Sequence, residues 1–171
     1  MQGFTMIELI VVIVILGILA AVALPRFTNI QRDARIAKLN AARGAVQAAA
    51  AMVYGTVQAR GGVADAGACA GTGFAGTADN LANGTVCTQS GRVQLTNFYP
   101  RANNVNGIIN AAGLTSQWIT NAAELTPEGY AWVGNSIRVL GGTNPANCSF
   151  TYANAPANGT PAISAVNILG C

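Results

Sequence analysis

Hydrophobic residues form one unbroken stretch near the start of the chain and recur periodically after it. The stretch runs from Phe4 to Leu24, and Glu8 is its only charged residue. A helix rises about 1.5 Å per residue, so a helix over this stretch would span about 31 Å, close to the hydrocarbon thickness of a bilayer. The pattern therefore predicts a membrane helix. The carboxylate inside it needs a functional explanation, because a charge there is costly.

After Pro25, apolar residues recur at steps of three and four, which predicts that the same helix continues to about Val57. A helix of that extent would be about 80 Å long, more than a head of this size can bury. We therefore expect the first half to find its partners in lipid or in other subunits, and the second half to pack on a head. The apolar stripe consists of Ile36, Leu39, Val46, Ala50, Val53 and Val57, with Arg43 at the one missing position.

Beyond Arg60, short apolar alternations separated by Gly, Asn and Pro predict an antiparallel sheet. We interpret residues 61–91 as a long loop, and residues 107–112 as a short helix closed by Gly113. About four antiparallel strands packed on one face of the long helix give an α+β fold. The predicted strands are Arg92–Leu95, Tyr130–Val133, Ile137–Leu140, Ser149–Tyr152 and Ile163–Leu169.

The titratable residues offer no pattern for catalysis. The chain has no histidine, which removes the commonest general base. The acids outside the helix are scattered over predicted loops, at Asp65, Asp79, Glu124 and Glu128. We therefore predict a protein that is not an enzyme, with no catalytic residue, no cofactor and no metal site.

Four cysteines, Cys69, Cys87, Cys148 and Cys171, indicate two disulfides in an exported domain. No C-x-x-C pair is present, so a zinc site would need unusual spacing. Three connectivities are open. We favour Cys69–Cys87 with Cys148–Cys171, because the first closes the predicted loop and the second ties the last residue back to the final hairpin.

The N-terminal residues carry a resemblance to a known family. The first residues resemble the N-terminus of type IV pilins. They are Gly3, Phe4 and Thr5, followed by an apolar pair, Glu8 and an apolar run that ends in proline. The resemblance implies that a prepilin peptidase cuts between Gly3 and Phe4 and that the new Phe4 amine is methylated. It also implies that Glu8 pairs with the Phe4 amine of a neighbouring subunit in a filament. In that filament the helix between Gly17 and Pro25 can unwind.

The resemblance also implies a division of the chain. Residues 1–3 are the prepilin leader, here without Lys or Arg, and residues 4–25 are the transmembrane and polymerisation helix. Residues 26–58 are an amphipathic helix packed on the head. Residues 59–171 are the head, with a variable αβ-loop, a β-sheet and a disulfide-bounded C-terminal D-region, as in the type IV pilin fold.

A more detailed likeness covers roughly the first 58 residues. Three segments are similar to the mannose-sensitive haemagglutinin (MSHA) branch of type IVa pilins. They are Arg26-Phe27-Thr28-Asn29-Ile30-Gln31-Arg32-Asp33-Ala34-Arg35, Leu39-Asn40 and Gly44-Ala45-Val46-Gln47-Ala48-Ala49.

The function that the resemblance implies is that of a structural pilus subunit. The chain would lie in the inner membrane of a Gram-negative bacterium and then in an extracellular filament for surface attachment. Its partners would be copies of itself, the prepilin peptidase and the pilus assembly machinery, with a surface or carbohydrate as candidate ligand. Two alternatives stay open. A type II secretion pseudopilin shares this N-terminus, and a minor or competence pilin would bind DNA through a clustered basic tip.

Overall fold

The computed structural model describes residues 4–62, 84–88 and 91–171, with the backbone alone at 24–29. One helix, α1 (Met6–Ala59), accounts for 54 of these residues and runs without a break past Pro25. It ends where the sequence predicts, because Gly61 and Gly62 adopt φ angles of 63° and 77°. Glycine accepts this left-handed conformation without steric cost, and such residues commonly close helices.

The two halves of α1 have different surroundings. The segment Met6–Ala23 is long and apolar enough to cross a membrane, and no part of it is buried. The second half buries the predicted stripe against the head, with Ile36 only partly covered. Ala42 and Ala49 are buried on the same face, although the sequence pattern did not include them. Small side chains there let the head approach the helix closely.

Seven strands in the described residues form two antiparallel sheets, so the predicted α+β fold is confirmed. The three-stranded sheet has the order β1-β2-β3, and the four-stranded sheet has the order β4-β5-β6-β7. The strands are β1 (Thr85–Thr88), β2 (Gly91–Thr96), β3 (Tyr99–Pro100), β4 (Tyr130–Val133), β5 (Ser136–Val139), β6 (Ser149–Ala153) and β7 (Ala162–Ile163). Short helical turns lie at Val105–Ile109, Ala122–Leu125 and Pro145–Asn147.

Two predictions about strands are wrong. The stretch 61–91 is not a loop throughout, because β1 lies in it and pairs with β2, with Val86 opposite Val93. The predicted strand Ile163–Leu169 is reduced to the two residues of β7 and a single bridge from Asn167 to Ser149. At Ser164 the pairing with β6 becomes irregular: the Ser164 N–H donates to the Thr151 carbonyl, but the Thr151 N–H donates to the Ser164 hydroxyl oxygen, and the Ser164 carbonyl accepts from Arg43 on α1.

Each sheet closes a core against a different part of α1. The four-stranded sheet packs on the middle of the helix around Leu39 and Val46, with Phe150 and Tyr152 from β6. The three-stranded sheet packs further along around Val53 and Val57. The described part of the head therefore packs on the second half of α1, which leaves the first half to other partners.

Candidate assembly site

Thr5 and Glu8 form a reciprocal cap at the start of α1. The Glu8 Oε2 accepts hydrogen bonds from the Thr5 backbone N–H at 2.8 Å and from the Thr5 hydroxyl at 3.0 Å. In return, the Glu8 N–H donates to the Thr5 Oγ1 at 3.3 Å. This arrangement satisfies backbone N–H groups that a helix start leaves without partners.

The cap gives Glu8 a contact within its own subunit, which the sequence reasoning missed. The signal was present, since a threonine three residues before a glutamate, next to an apolar run, is the capping-box pattern. Phe4 lies at the same end and is 90 % exposed. Phe4 and Glu8 are therefore both accessible to another subunit, whereas Gly3 lies outside the described residues.

The apolar half of α1 offers a long uncovered surface. The isoleucine, leucine and valine side chains from Ile7 to Val22 are about half exposed or more. Such a surface needs lipid or other apolar helices around it, because apolar area in contact with water is unfavourable. Gly17 has open space around it, and the helix backbone continues through Pro25. Unwinding between these two residues stays a prediction.

Basic side chains fasten the second half of α1 to the head. The Arg35 Nε donates to the Cys171 carbonyl at 2.6 Å, and the Arg43 Nε donates to the Ser164 carbonyl at 2.8 Å. Farther along, the Arg60 guanidinium donates to the Cys87 carbonyl at 3.2 Å. Charged donors make hydrogen bonds that are stronger than neutral ones.

Lys38 contacts the head in two ways. Its ammonium donates to the Glu128 carbonyl and lies 4.4 Å from the centre of the Tyr130 ring. Gly129 has a φ of +71°, which strains any residue with a side chain, and a Cβ there would also displace the Lys38 ammonium, 2.7 Å away. Burial, together with the Glu128 charge, raises the pKa of the Tyr130 hydroxyl, which stays neutral beneath the ammonium.

The C-terminal segment is closed by a disulfide. Cys148 and Cys171 are both buried and are joined, with their Cα atoms 4.8 Å apart. Arg35 binds the Cys171 carbonyl, so this disulfide and α1 hold the same end of the segment. Cys87 is disulfide-bonded as well. Its predicted partner, Cys69, lies outside the described residues, and that pairing stays a prediction.

We expect peptide mapping without reduction to find Cys69 joined to Cys87 and Cys148 joined to Cys171. Replacing Cys148 and Cys171 together by serine should lower the free energy of unfolding by about 3 kcal/mol, because the unfolded chain regains the freedom of a closed loop. Chemical denaturation of the full chain in micelles measures this change. A peptide joining Cys87 to Cys148 would contradict the pairing.

Of the acids in the head, Glu124 and Glu128 take part in local structure, whereas Asp65 and Asp79 lie outside the described residues. Glu124 accepts hydrogen bonds from the backbone N–H groups of Asn121 at 2.8 Å and Thr120 at 3.1 Å, which lower the pKa of its carboxyl group. Glu128 lies near the Ser116 hydroxyl, and the two acids do not share a helical face. Among the described residues, no three His, Cys, Asp or Glu side chains are placed to hold a metal ion.

Comparison with known proteins identifies the N-terminal segment. Residues 1–24 match the family described as the prokaryotic N-terminal methylation motif. The chain is also 50 % identical over 60 residues to the type IV narrow pilus major component PilA5 of Thermus thermophilus. That match covers 35 % of this chain and half the length of the relative. No solved structure matches the chain significantly.

These findings show that the N-terminal part of the chain is similar to that of a type IV pilin. The chain carries the methylation motif, an exposed apolar helix behind it and an α+β head. The comparisons show no likeness to the MSHA branch in particular. They also leave open the alternatives of a pseudopilin and a competence pilin.

Proposed function

We propose that this chain is a structural subunit of a type IV pilus that polymerises through its N-terminal helix. One observation carries the proposal: the methylation motif of residues 1–24 stands at the start of a helix whose span Met6–Ala23 is uncovered. The Thermus relative, described as the major component of a pilus, supports the same role. In this role the chain is not an enzyme, and its activity is self-assembly.

The apolar half of α1 suits both a membrane and a filament. Before assembly, lipid covers this surface; in a filament, the same surface would be covered by the helices of neighbouring subunits. Both environments are apolar, so the hydrophobic effect gives little preference between them. Specific contacts at Phe4 and Glu8 would then decide which neighbours fit and at what axial step.

The proposal includes processing and location. A prepilin peptidase would cleave between Gly3 and Phe4, leaving the segments 4–25, 26–58 and 59–171 as the mature subunit. The subunit would wait in the inner membrane of a Gram-negative bacterium, where the assembly machinery transfers it to an extracellular filament. Surface attachment and an MSHA-like branch are further parts of the proposal, the latter supported by the residues between Arg26 and Ala49.

A DNA-binding tip pilin is less well supported. Binding to the phosphate backbone requires accessible lysine and arginine side chains. In the second half of α1, Arg35, Lys38, Arg43 and Arg60 donate to backbone carbonyls of the head. These contacts assign the basic residues to holding the helix in place. A pseudopilin would share every feature of the assembly site, so the experiment must separate it by the location of the filament.

The proposed function predicts that filaments sheared from cells that express this chain contain it as a main protein. Mass spectrometry should find a first residue of N-methylated Phe4 and no peptide from residues 1–3. Electron microscopy of a deletion strain should show loss of those filaments, and the wild-type chain should restore them. Recovery of the chain only from the cell envelope, with surface filaments unchanged in the deletion strain, would contradict the proposal and favour a pseudopilin.

A further inference from the structure

A groove lies where the end of α1, the turn between β2 and β3, and the segment 157–160 meet. We call it the end groove; its volume is about 390 Å³, within the usual range of ligand sites. Its lining residues are Tyr54, Gln58, Asn97, Phe98, Tyr99, Ala157, Asn158, Gly159 and Thr160. The groove lies in the head, far along α1 from Phe4 and Glu8.

Aromatic rings form one wall of the end groove. Tyr54 of α1 and Tyr99 of β3 stack with ring centres 4.6 Å apart and planes 10° from parallel. Phe98 lies beside them in the turn between β2 and β3, and it also packs against the core of the three-stranded sheet. Each of these rings is half-buried, so part of it faces the groove.

The turn that presents Phe98 is strained. Asn97 and Phe98 adopt φ angles of 50° and 71°, a region that asparagine tolerates and a bulky side chain rarely enters. The Asn97 amide donates to the Ala155 carbonyl at 2.8 Å, which fixes the turn to the C-terminal segment. Strained residues persist where the surroundings hold them, and they cluster at ligand sites. The hydrogen bond of Asn97 and the packing of Phe98 hold this turn in place next to the groove.

Several polar groups that line the end groove make no hydrogen bond within the protein. In the described part of the chain, the side chains of Gln58, Asn158 and Thr160 and the hydroxyls of Tyr54 and Tyr99 make no hydrogen bond. Asparagines elsewhere in the head differ, since Asn104, Asn121 and Asn144 each accept a backbone N–H. The groove therefore offers amide and hydroxyl groups that are available to a ligand.

Among the described residues that line the end groove, none is charged. A phosphate or carboxylate would find no cation there, which disfavours single-stranded nucleic acid even though its bases could stack on the rings. Aromatic faces combined with neutral amides and hydroxyls suit a ring with one apolar face and several hydroxyls. A saccharide without charge has these properties.

We propose that the end groove binds a short neutral saccharide. One apolar sugar face would lie on the ring of Tyr54, and Gln58, Asn158 and Thr160 would hydrogen-bond the hydroxyls. The proposal deepens the attachment role proposed above and rests on that role for its biological meaning. Binding itself does not need a filament, so it is measured on the unassembled subunit, and a failure to polymerise would not affect the result.

The test uses the full chain, labelled with ¹⁵N, in micelles of dodecylphosphocholine, because detergents with sugar headgroups would compete for the groove. The probes are cellotriose, maltotriose and N,N′,N″-triacetylchitotriose, each titrated separately while the backbone amide shifts are recorded. We expect at least one probe to give saturable shift changes at residues 97–99 and 157–160. A heptathymidylate should give none there.

Variants connect the shift changes to the groove. Asn158 and Thr160 are exposed, so replacing both by alanine leaves the fold intact and should weaken binding about tenfold through lost hydrogen bonds. Tyr54→Leu keeps apolar bulk but removes the ring face, and should abolish saturation. Gln58→Ala should weaken binding severalfold, whereas its control Gln47→Ala, exposed on α1 about 16 Å away, should not.

Three outcomes would overturn the proposal. The first is that no probe gives saturable changes at the groove. The second is that saturation survives both Tyr54→Leu and the double variant at Asn158 and Thr160 unchanged. The third is that the heptathymidylate saturates the same amides more tightly than every saccharide, which would assign the groove to nucleic acid.

Discussion

Replacing Glu8 by valine should leave a subunit that is inserted, cleaved and folded but that forms at least tenfold fewer filaments than the wild type. The substitution makes the apolar run uniform, so membrane insertion is not weakened. In the proposed filament, however, it leaves the Phe4 ammonium of a neighbour unpaired in an apolar bundle. Removing one partner of a buried ion pair costs roughly 3–5 kcal/mol, and this cost recurs at every subunit. Filament yield after shearing measures the effect.

The cap at the start of α1 offers a second explanation for a loss of filaments with Glu8→Val. Two further variants distinguish this explanation from the ion pair. Glu8→Gln can still complete the cap with Thr5 but carries no charge. Thr5→Ala removes the threonine side of the cap, a loss of about 1 kcal/mol in helix stability, and keeps the carboxylate. If Glu8 acts by pairing with an amine, Glu8→Gln should lose filaments and Thr5→Ala should keep them. The reverse result would assign Glu8 to helix capping.

Replacing Gly3 by valine should abolish filaments altogether, because a side chain at this position would obstruct cleavage by the peptidase. We expect the uncleaved precursor to accumulate in the membrane. Cleavage and assembly would fail together, since the Phe4 amine on which the proposed pairing depends would still be part of a peptide bond. Mass spectrometry of the membrane fraction should find residues 1–3 attached.

Gln2→Val is the matched control for Gly3→Val, because it adds the same side chain one residue away from the cut. It should be processed and assembled as the wild type is. Filaments from wild-type cells that still begin with unmodified Met1 would rule out the proposed processing. Normal filaments from Gly3→Val would also rule out the proposed processing. Loss of filaments with both Gly3→Val and Gln2→Val would show only that the leader tolerates no valine.

Much of the fold could be read from the sequence where the interactions are local. The end of α1 follows from Gly61 and Gly62, and the hairpin of β4 and β5 follows from two alternating segments around Gly134 and Asn135. The short strands β1 and β3 escaped prediction, and β7 keeps only Ile163 of the strand predicted there. Strands of two residues, such as β3 and β7, cannot show an alternating pattern, and backbone pairing with a longer neighbour defines them.

The sequence by itself determined the apolar span, the methylation motif and the buried stripe of α1, because spacing within one helix fixes all three. The Thr5–Glu8 cap has an equally local signal, although the sequence reasoning missed it. Only the tertiary structure decided what the basic residues of α1 do. Arg35 and Arg43 bind carbonyls 136 and 121 residues away, and a backbone acceptor has no signature in a sequence. The end groove likewise exists only because packing brings Tyr54 against Tyr99, next to the segment 157–160.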